Sequence, residues 1–198
     1  MKISRPIKIA VAFSAAVLAL TGISAPASQA AAKKTIIVLG GGDAFFAIVK
    51  NGVKAASGPA LQAGVSVKYV GLKNYDNVGP DMVKLIRTAV SQKTDALALP
   101  NWVSSAQNPE IKKAIAAGIP VFLYNAGQEQ LEATGAKAYI GTNEYQAGIT
   151  LGKYLASKGA KHGLCINTSP GSANIKQRCD GMAEGMKSGG GKGETLEL

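Results

Sequence analysis

Histidine is nearly missing from this 198-residue chain: His162 is the one copy, and the two cysteines, Cys165 and Cys179, form no C-x-x-C pair. A zinc site therefore lacks a ligand set. Aromatic residues are scarce, at 6%. A nucleic-acid surface needs a basic stripe interleaved with aromatics, and none is visible. The 24 glycines follow no Gly-X-Y period, and no heptad run is present, which sets aside collagen and coiled coil. Signature motifs of catalysis are missing as well, with no G-x-S-x-G elbow, no G-x-x-x-x-G-K-[ST] loop and no H-E-x-x-H. His162 falls at the entry of a strand, the end away from any crevice, where a solvated surface group fits better than a general base. These absences move the reading from enzyme to binder, with no cofactor and no metal expected.

What is present reads as a globular chain behind a leader-like amino terminus. The content, 46% hydrophobic and 17% charged, is that of a globular protein, and the length suits one domain or one domain and part of a second. Residues 1–30 read as a secretory signal peptide: Lys2, Arg5 and Lys8, an apolar run from Ile9 to Leu20, then Ala25-Pro26-Ala27-Ser28-Gln29-Ala30 with cleavage expected after Ala30. The alternative, a membrane anchor, has too short an apolar run. Without these residues 168 remain, with 19 basic against 12 acidic groups and a charge of +7 instead of +10. An oxidising compartment makes a Cys165–Cys179 disulfide reasonable, with two buried free thiols as the other possibility.

From Lys33 onward, short apolar runs alternate with helical patterns. Strands are expected at 35–39, 65–70, 96–99, 121–124, 138–140 and 163–167. Helices are expected at 44–57, with Phe45, Val49, Val53 and Ala56 inward, and at 78–92, 109–117, 145–157 and 173–187. Thr142 or Asn143 can cap the helix from Tyr145. Residues 188–193 read as a flexible tail, and 194–198 as the start of a further strand. Continuous apolar strands joined by helices imply a doubly wound parallel sheet covered on both faces.

In such sheets ligands bind beyond the carboxyl ends of the strands. After the first strand stands Gly40-Gly41-Gly42-Asp43-Ala44-Phe45-Phe46. Phe45 falls where a dinucleotide fingerprint needs its third glycine, and the second strand ends without a ribose-binding carboxylate. The two adjacent rings cannot both face the core, because successive helical residues point about 100° apart. Asn101 and Trp102 follow the third strand, Asn125 the fourth, Thr142 the fifth and Ser169 the sixth. Rings with a few amides, hydroxyls and a carboxylate suit a sugar or polyol, whose C–H faces stack while its hydroxyls pair. Each of the polar residues also has a plain reading as a cap or turn former.

Five segments then carry a resemblance: Asp43-Ala44-Phe45-Phe46, Thr94 to Leu99, Ala117 to Val121, Tyr139 to Asn143, and Gln177 to Met182. In this order they resemble the periplasmic sugar-binding proteins of ABC transporters, the type I ribose-binding-like family, over about Lys34 to Lys187. The resemblance implies two α/β lobes, here residues 33–141 and the start of a second at 142–198, which close on a monosaccharide or polyol for delivery to an inner-membrane permease. It matches Asp43 to a hydrogen-bonding position, Phe45 and Phe46 to stacking rings, Asn101 to a hydroxyl-binding asparagine and Arg178 to an arginine from the second lobe. Asn174 lies one turn before Arg178 and faces the same way. Ribose-type members usually carry an Asp-Arg pair after the fourth strand, where this chain has Asn125-Ala126. The bidentate fork is lost, leaving a linear polyol, another sugar or a furanosyl signal such as autoinducer-2 open. A periplasmic sensor feeding a kinase or chemoreceptor would use the same fold. A transcription regulator of similar lobes would need a helix-turn-helix where the leader stands. The family crosses between lobes three times and this chain once, so weak solute binding and unpaired strand edges are expected of it alone.

Overall fold

The computed structural model describes residues 34–198; the leader expected at 1–30 lies outside the described residues. Five parallel strands make the first sheet: β1 (Lys34–Gly40), β2 (Val65–Gly71), β3 (Ala96–Leu99), β4 (Val121–Tyr124) and β5 (Tyr139–Ile140). Their spatial order is β2-β1-β3-β4-β5, with registers such as Val38↔Tyr69, Ile37↔Leu97 and Leu97↔Val121. The order reverses at β1, which leaves a crevice at the carboxyl ends of β1 and β3. The helices between them are α1 (Ala44–Gln62), α2 (Val78–Ser91) and α3 (Ser104–Ala116), with a 3-10 turn (Gln128–Gln130) and a single-turn α4 (Leu131–Thr134) before β5.

The core joins Ile37, Leu39, Leu97, Leu99, Val121 and Leu123 of the strands to Met82 and Ile86 of α2 and Ile111 of α3. Equal coverage of both sheet faces, expected from the continuous apolar runs, is not what forms. Leu97 and Leu99 are buried while Ala96 and Ala98 are half-buried, and Phe122 is exposed between buried Val121 and Leu123. The described helices seal one face more completely than the other.

Two helices outrun their expected bounds through a proline. α1 continues past Ser57 to Gln62 with Pro59 inside it. Gly58 precedes that proline and has no Cβ to crowd the pyrrolidine ring, so the pre-proline residue stays helical. α3 begins at Ser104, five residues before Pro109. Gln107 secures the preceding turn, accepting the Val103 N–H at 2.9 Å and donating to the Pro100 carbonyl at 2.8 Å.

Chain then passes from β5 into α5 (Glu144–Ser157), β6 (His162–Asn167), α6 (Ala173–Ser188) and β7 (Lys192–Glu197). Asn143 caps α5 by accepting the Gln146 N–H at 3.0 Å. The expected flexible tail ends early, because Lys192 and Gly193 already pair with His162 and Gly163 in a parallel two-stranded sheet. One face of that sheet lies under α6; Leu164, Ile166 and Leu196 are exposed on the other, and among the described residues each strand pairs along one edge only.

α5 and α6 meet backbone to backbone. Gly148 and Gly152 on one helix face Gly181 and Gly185 on the other, and a Cβ at Gly152 would stand 2.6 Å from the Met186 nitrogen. Only glycine permits that approach. A Cys165–Cys179 disulfide, with Cα atoms 5.4 Å apart, ties β6 to α6, so the alternative of free thiols falls.

Candidate functional site

Asp43 stands where β1 turns into α1, and its Oδ1 accepts the Phe46 N–H at 3.0 Å, capping the helix. Its Oδ2 accepts the Tyr75 hydroxyl. Capping and cleft-lining are thus both true of Asp43, and the cap holds the carboxylate at the crevice.

Of the three glycines before it, Gly40 and Gly41 make room for tyrosines and Gly42 for the Leu72 backbone carbonyl. A Cβ on Gly40 would strike the hydroxyl ends of Tyr69 and Tyr124, and one on Gly41 the Tyr75 ring. Tyr69 donates to the Gly41 carbonyl at 2.6 Å, and Tyr124 donates to the carbonyl of Leu39 at 2.5 Å. Burial, then the Asp43 charge, push the Tyr69 phenol up to about 12, and burial raises those of Tyr75 and Tyr124 further. These hydroxyls remain protonated donors at neutral pH.

Phe46 is the ring that enters the core, 5% exposed, while Phe45 is 56% exposed. That corrects the expected inward face of α1, which runs through Phe46, Val49 and Val53 rather than through Phe45 and Ala56. Phe46 is the hub of an edge-to-face cluster, with ring centroids 5.0 Å from Phe45, 5.3 Å from Trp102 and 6.3 Å from Tyr124. Trp102 is buried after β3 and its indole N–H donates to Asn125 Oδ1 at 3.0 Å. Asn125 adopts φ 63°, in the left-handed region that asparagine tolerates. Its acceptor oxygen is taken by the indole, which leaves its amide N–H₂ group as a donor for the crevice.

Groups from the second sheet's half close the other side. Arg178 on α6 donates Nε–H to Glu144 Oε2 at 2.6 Å, with a second contact from Nη2. Asn174 accepts from Ser172 Oγ at 2.7 Å. The halves touch where the Ala173 N–H donates to the Trp102 carbonyl at 3.0 Å.

Between them lies a cleft with a cavity volume of about 500 Å³, lined by Asp43, Phe45, Phe46, Trp102, Asn125, Thr142, Asn174 and Arg178 among others. That size suits a small-molecule site. Ser169 also lines it. Asn101 does not: it is fully buried behind the wall, its Nδ2 donating to Asn108 Oδ1 at 2.7 Å and its Oδ1 without a partner. The backbone bond from Asn101 N–H to the Ala126 carbonyl turns the side chain inward, so Trp102 rather than Asn101 faces the cleft. Sequence reading missed Tyr75, Tyr124 and Glu144 in the lining. Glu144 sits in the first turn of a capped helix, where an acidic residue signals only the helix dipole. Burial, then Glu144, raise the nearby Tyr139 phenol to about 12.

Comparison with known proteins gives the family and the fold. Residues 20–197 match the model of the periplasmic binding protein domain. The chain belongs to that family. The xylose/arabinose-binding protein of Sulfolobus acidocaldarius is 30% identical over 148 residues, 70% of this chain and 35% of that protein. Among solved structures, a carbohydrate transporter from Acidothermus cellulolyticus 11B in complex with myo-inositol is 33% identical with a TM-score of 0.73, covering 83% of this chain and 55% of that one. A solute-binding protein from Burkholderia graminis C4D1M in complex with D-arabinose is 27% identical with a TM-score of 0.72, covering 84% and 57%. The chain thus has the type I periplasmic binding protein fold, over about a third of the curated relative's length and just over half of the solved ones.

Proposed function

We propose that this chain is the sugar-capturing part of an exported solute-binding protein, which takes up a sugar or related polyol outside the cytoplasmic membrane and delivers it to an ABC permease. Residues 1–30 are then its leader, 33–141 its first lobe and 142–198 the beginning of its second. The observation that carries the reading is the make-up of the cleft: the Phe45–Phe46–Trp102 wall on one side, and Asp43, Asn125, Thr142, Asn174 and Arg178 around it. The C–H face of a pyranose or cyclitol stacks on the rings, while hydroxyls donate to Asp43 and accept from Asn125 and Arg178. Bonds to residues on both lobes favour the closed arrangement, which the permease can distinguish from the open one. The names of the relatives direct the choice of candidates to xylose, arabinose and myo-inositol.

Trp102 is the chain's single tryptophan and lines the cleft, so its fluorescence reports occupancy directly. Titration with D-xylose, L-arabinose, D-arabinose and myo-inositol into the millimolar range should shift the emission for at least one, and Arg178→Ala should weaken that ligand about tenfold. No response to any of them, with Arg178→Ala indistinguishable from the parent chain, would refute the reading. A permease rather than a kinase is tested by co-purification with each from the native membrane.

A further inference from the structure

Beyond Glu144, six residues of the second half line the cleft: Thr168, Ser169, Ser172, Asn174, Ile175 and Arg178. All six fall between Cys165 and Cys179, whose disulfide spans a separation of 14 residues. One covalent ring therefore encloses everything that α6 and the loop before it present to a ligand. Arg178 is the residue bonded directly to Cys179.

Non-covalent contacts hold the ring loosely. Thr168, Pro170 and Gly171 are exposed, and Gly171 has φ 87°. Ser172 precedes α6 without a side-chain capping bond, its hydroxyl turning to Asn174 Oδ1 instead. The bonds within the loop are short-range: the Ser169 N–H donates to Asn167 Oδ1 at 3.1 Å and the Ser172 N–H to the Ser169 carbonyl at 3.0 Å. Among the described residues, its one hydrogen bond to the first half runs from the Ala173 N–H to the Trp102 carbonyl. Firmer packing of α6 starts near Cys179 and leads away from the cleft, with Met182 and Met186 against Gly163 and Ala183 against Gly193. The ends of the bridge rest on that packed part: Cys179 is 1% exposed, and Cys165 pairs with Thr195 in the sheet.

We propose that the Cys165–Cys179 bridge is a positioning element of the cleft, and that its closure raises the affinity for the ligand. The inference rests on the reading of the cleft as a sugar site. A loop that is loose before binding must be ordered by the ligand, and that cost is subtracted from affinity. Ordering the backbone of a single residue is worth roughly tenfold. With the bridge closed, the ring is ordered in advance; with it open, the packed part of α6 keeps the fold and the cleft-facing part loosens. Opening is a two-electron step: a dithiol passes two hydrogens to the bridge, which becomes two thiols, and itself closes to a cyclic disulfide. The half-buried Cys165 is the more accessible of the two sulfurs. The same chain thus holds its sugar tightly only in an oxidising compartment.

The test titrates D-xylose, L-arabinose, D-arabinose and myo-inositol into the oxidised chain, the dithiothreitol-reduced chain and the doubly substituted Cys165→Ser, Cys179→Ser chain. Trp102 emission reads binding, and far-UV circular dichroism establishes that each form is folded. Both open forms should bind the responding sugar about tenfold more weakly, and dithiothreitol should not alter the serine variant further. Because coupling is reciprocal, saturating sugar should make the bridge harder to reduce, by the same factor, at equilibrium with oxidised and reduced dithiothreitol. A bridge that serves stability alone would change neither quantity in a folded chain. Should the open forms fail to fold, two glycines inserted after Gly171 slacken the ring with the bridge intact and little loss of stability; this variant should also bind about tenfold more weakly. Equal affinity in the closed and the folded open forms, or an insertion variant that binds like the parent, overturns the inference while the sugar-binding reading stands. Silence from every sugar in the oxidised chain overturns that reading, and the inference with it.

Discussion

Replacing Gly152 by alanine should reverse the sign that helix propensity assigns to the change. In an exposed helix interior alanine is favoured over glycine by about 1 kcal/mol, and Gly52, in the middle of α1 with no atom within 4 Å of an added Cβ, is such a position. At Gly152 the same methyl would overlap the Met182 carbonyl oxygen and stand 2.6 Å from Met186 N and 2.8 Å from Gly185 C. All three are backbone atoms of α6, so no side chain can swing aside. Relief requires α5 and α6 to separate by on the order of 1 Å, which forfeits part of the dispersion energy along the whole contact. Overpacking of this kind costs about 1–3 kcal/mol, and here it must also outweigh the propensity gain. Urea denaturation followed by far-UV circular dichroism should show Gly52→Ala level with the parent or up to about 1 kcal/mol more stable. Gly152→Ala should be less stable by about 2 kcal/mol. If Gly152→Ala proves as stable as Gly52→Ala, the backbone contact between the two helices is not present in solution.

Three further outcomes follow from particular contacts. Arg87 at 2.9 Å and Lys113 at 2.8 Å hold the buried Glu110 carboxyl down to about 2, from 4.5; stability from this group is complete above about pH 4.5 and is lost as pH falls toward 2, so denaturation midpoints across that window should drop more steeply for the parent than for Glu110→Gln. Opening the Cys165–Cys179 bridge, which closes a separation of 14 residues, should lower stability by about 3 kcal/mol, measured by urea denaturation with and without dithiothreitol, and the doubly serine-substituted chain should lose its sensitivity to reductant. Phe46→Ala should cost about 3–5 kcal/mol because that ring is the core hub, whereas Phe45→Ala should leave the denaturation midpoint nearly unchanged and weaken sugar binding; equal stability losses would contradict the division of labour between the two rings.

Much of the site was legible because the doubly wound plan puts binding groups just after the strands, and apolar runs locate the strands. Asp43, Trp102, Asn125 and Thr142 were found that way, and all line the cleft. Asn101 was placed there by the same rule and lies behind it, since the turn after β3 gives two successive residues and only one can face outward. Glu144 was missed because its role depends on Arg178, 34 residues later, and nothing local marks such a partner. The start of α3 was missed because Pro109 looks like a first-turn residue, while the turn is set by Gln107 bonding back to Val103 and Pro100.

By itself the sequence determined the alternation of strands and helices, the parallel sheet that alternation demands and the chemistry available at its carboxyl edge, because periodicity and capping act within a few residues. Tertiary structure decided which of two neighbouring phenylalanines enters the core, which asparagine reaches the cleft, and that Arg178 arrives already neutralised. It also decided that four glycines of α5 and α6 meet in a helix seam. Those outcomes depend on surfaces that meet only after the chain has folded, and distance along the sequence carries no record of them.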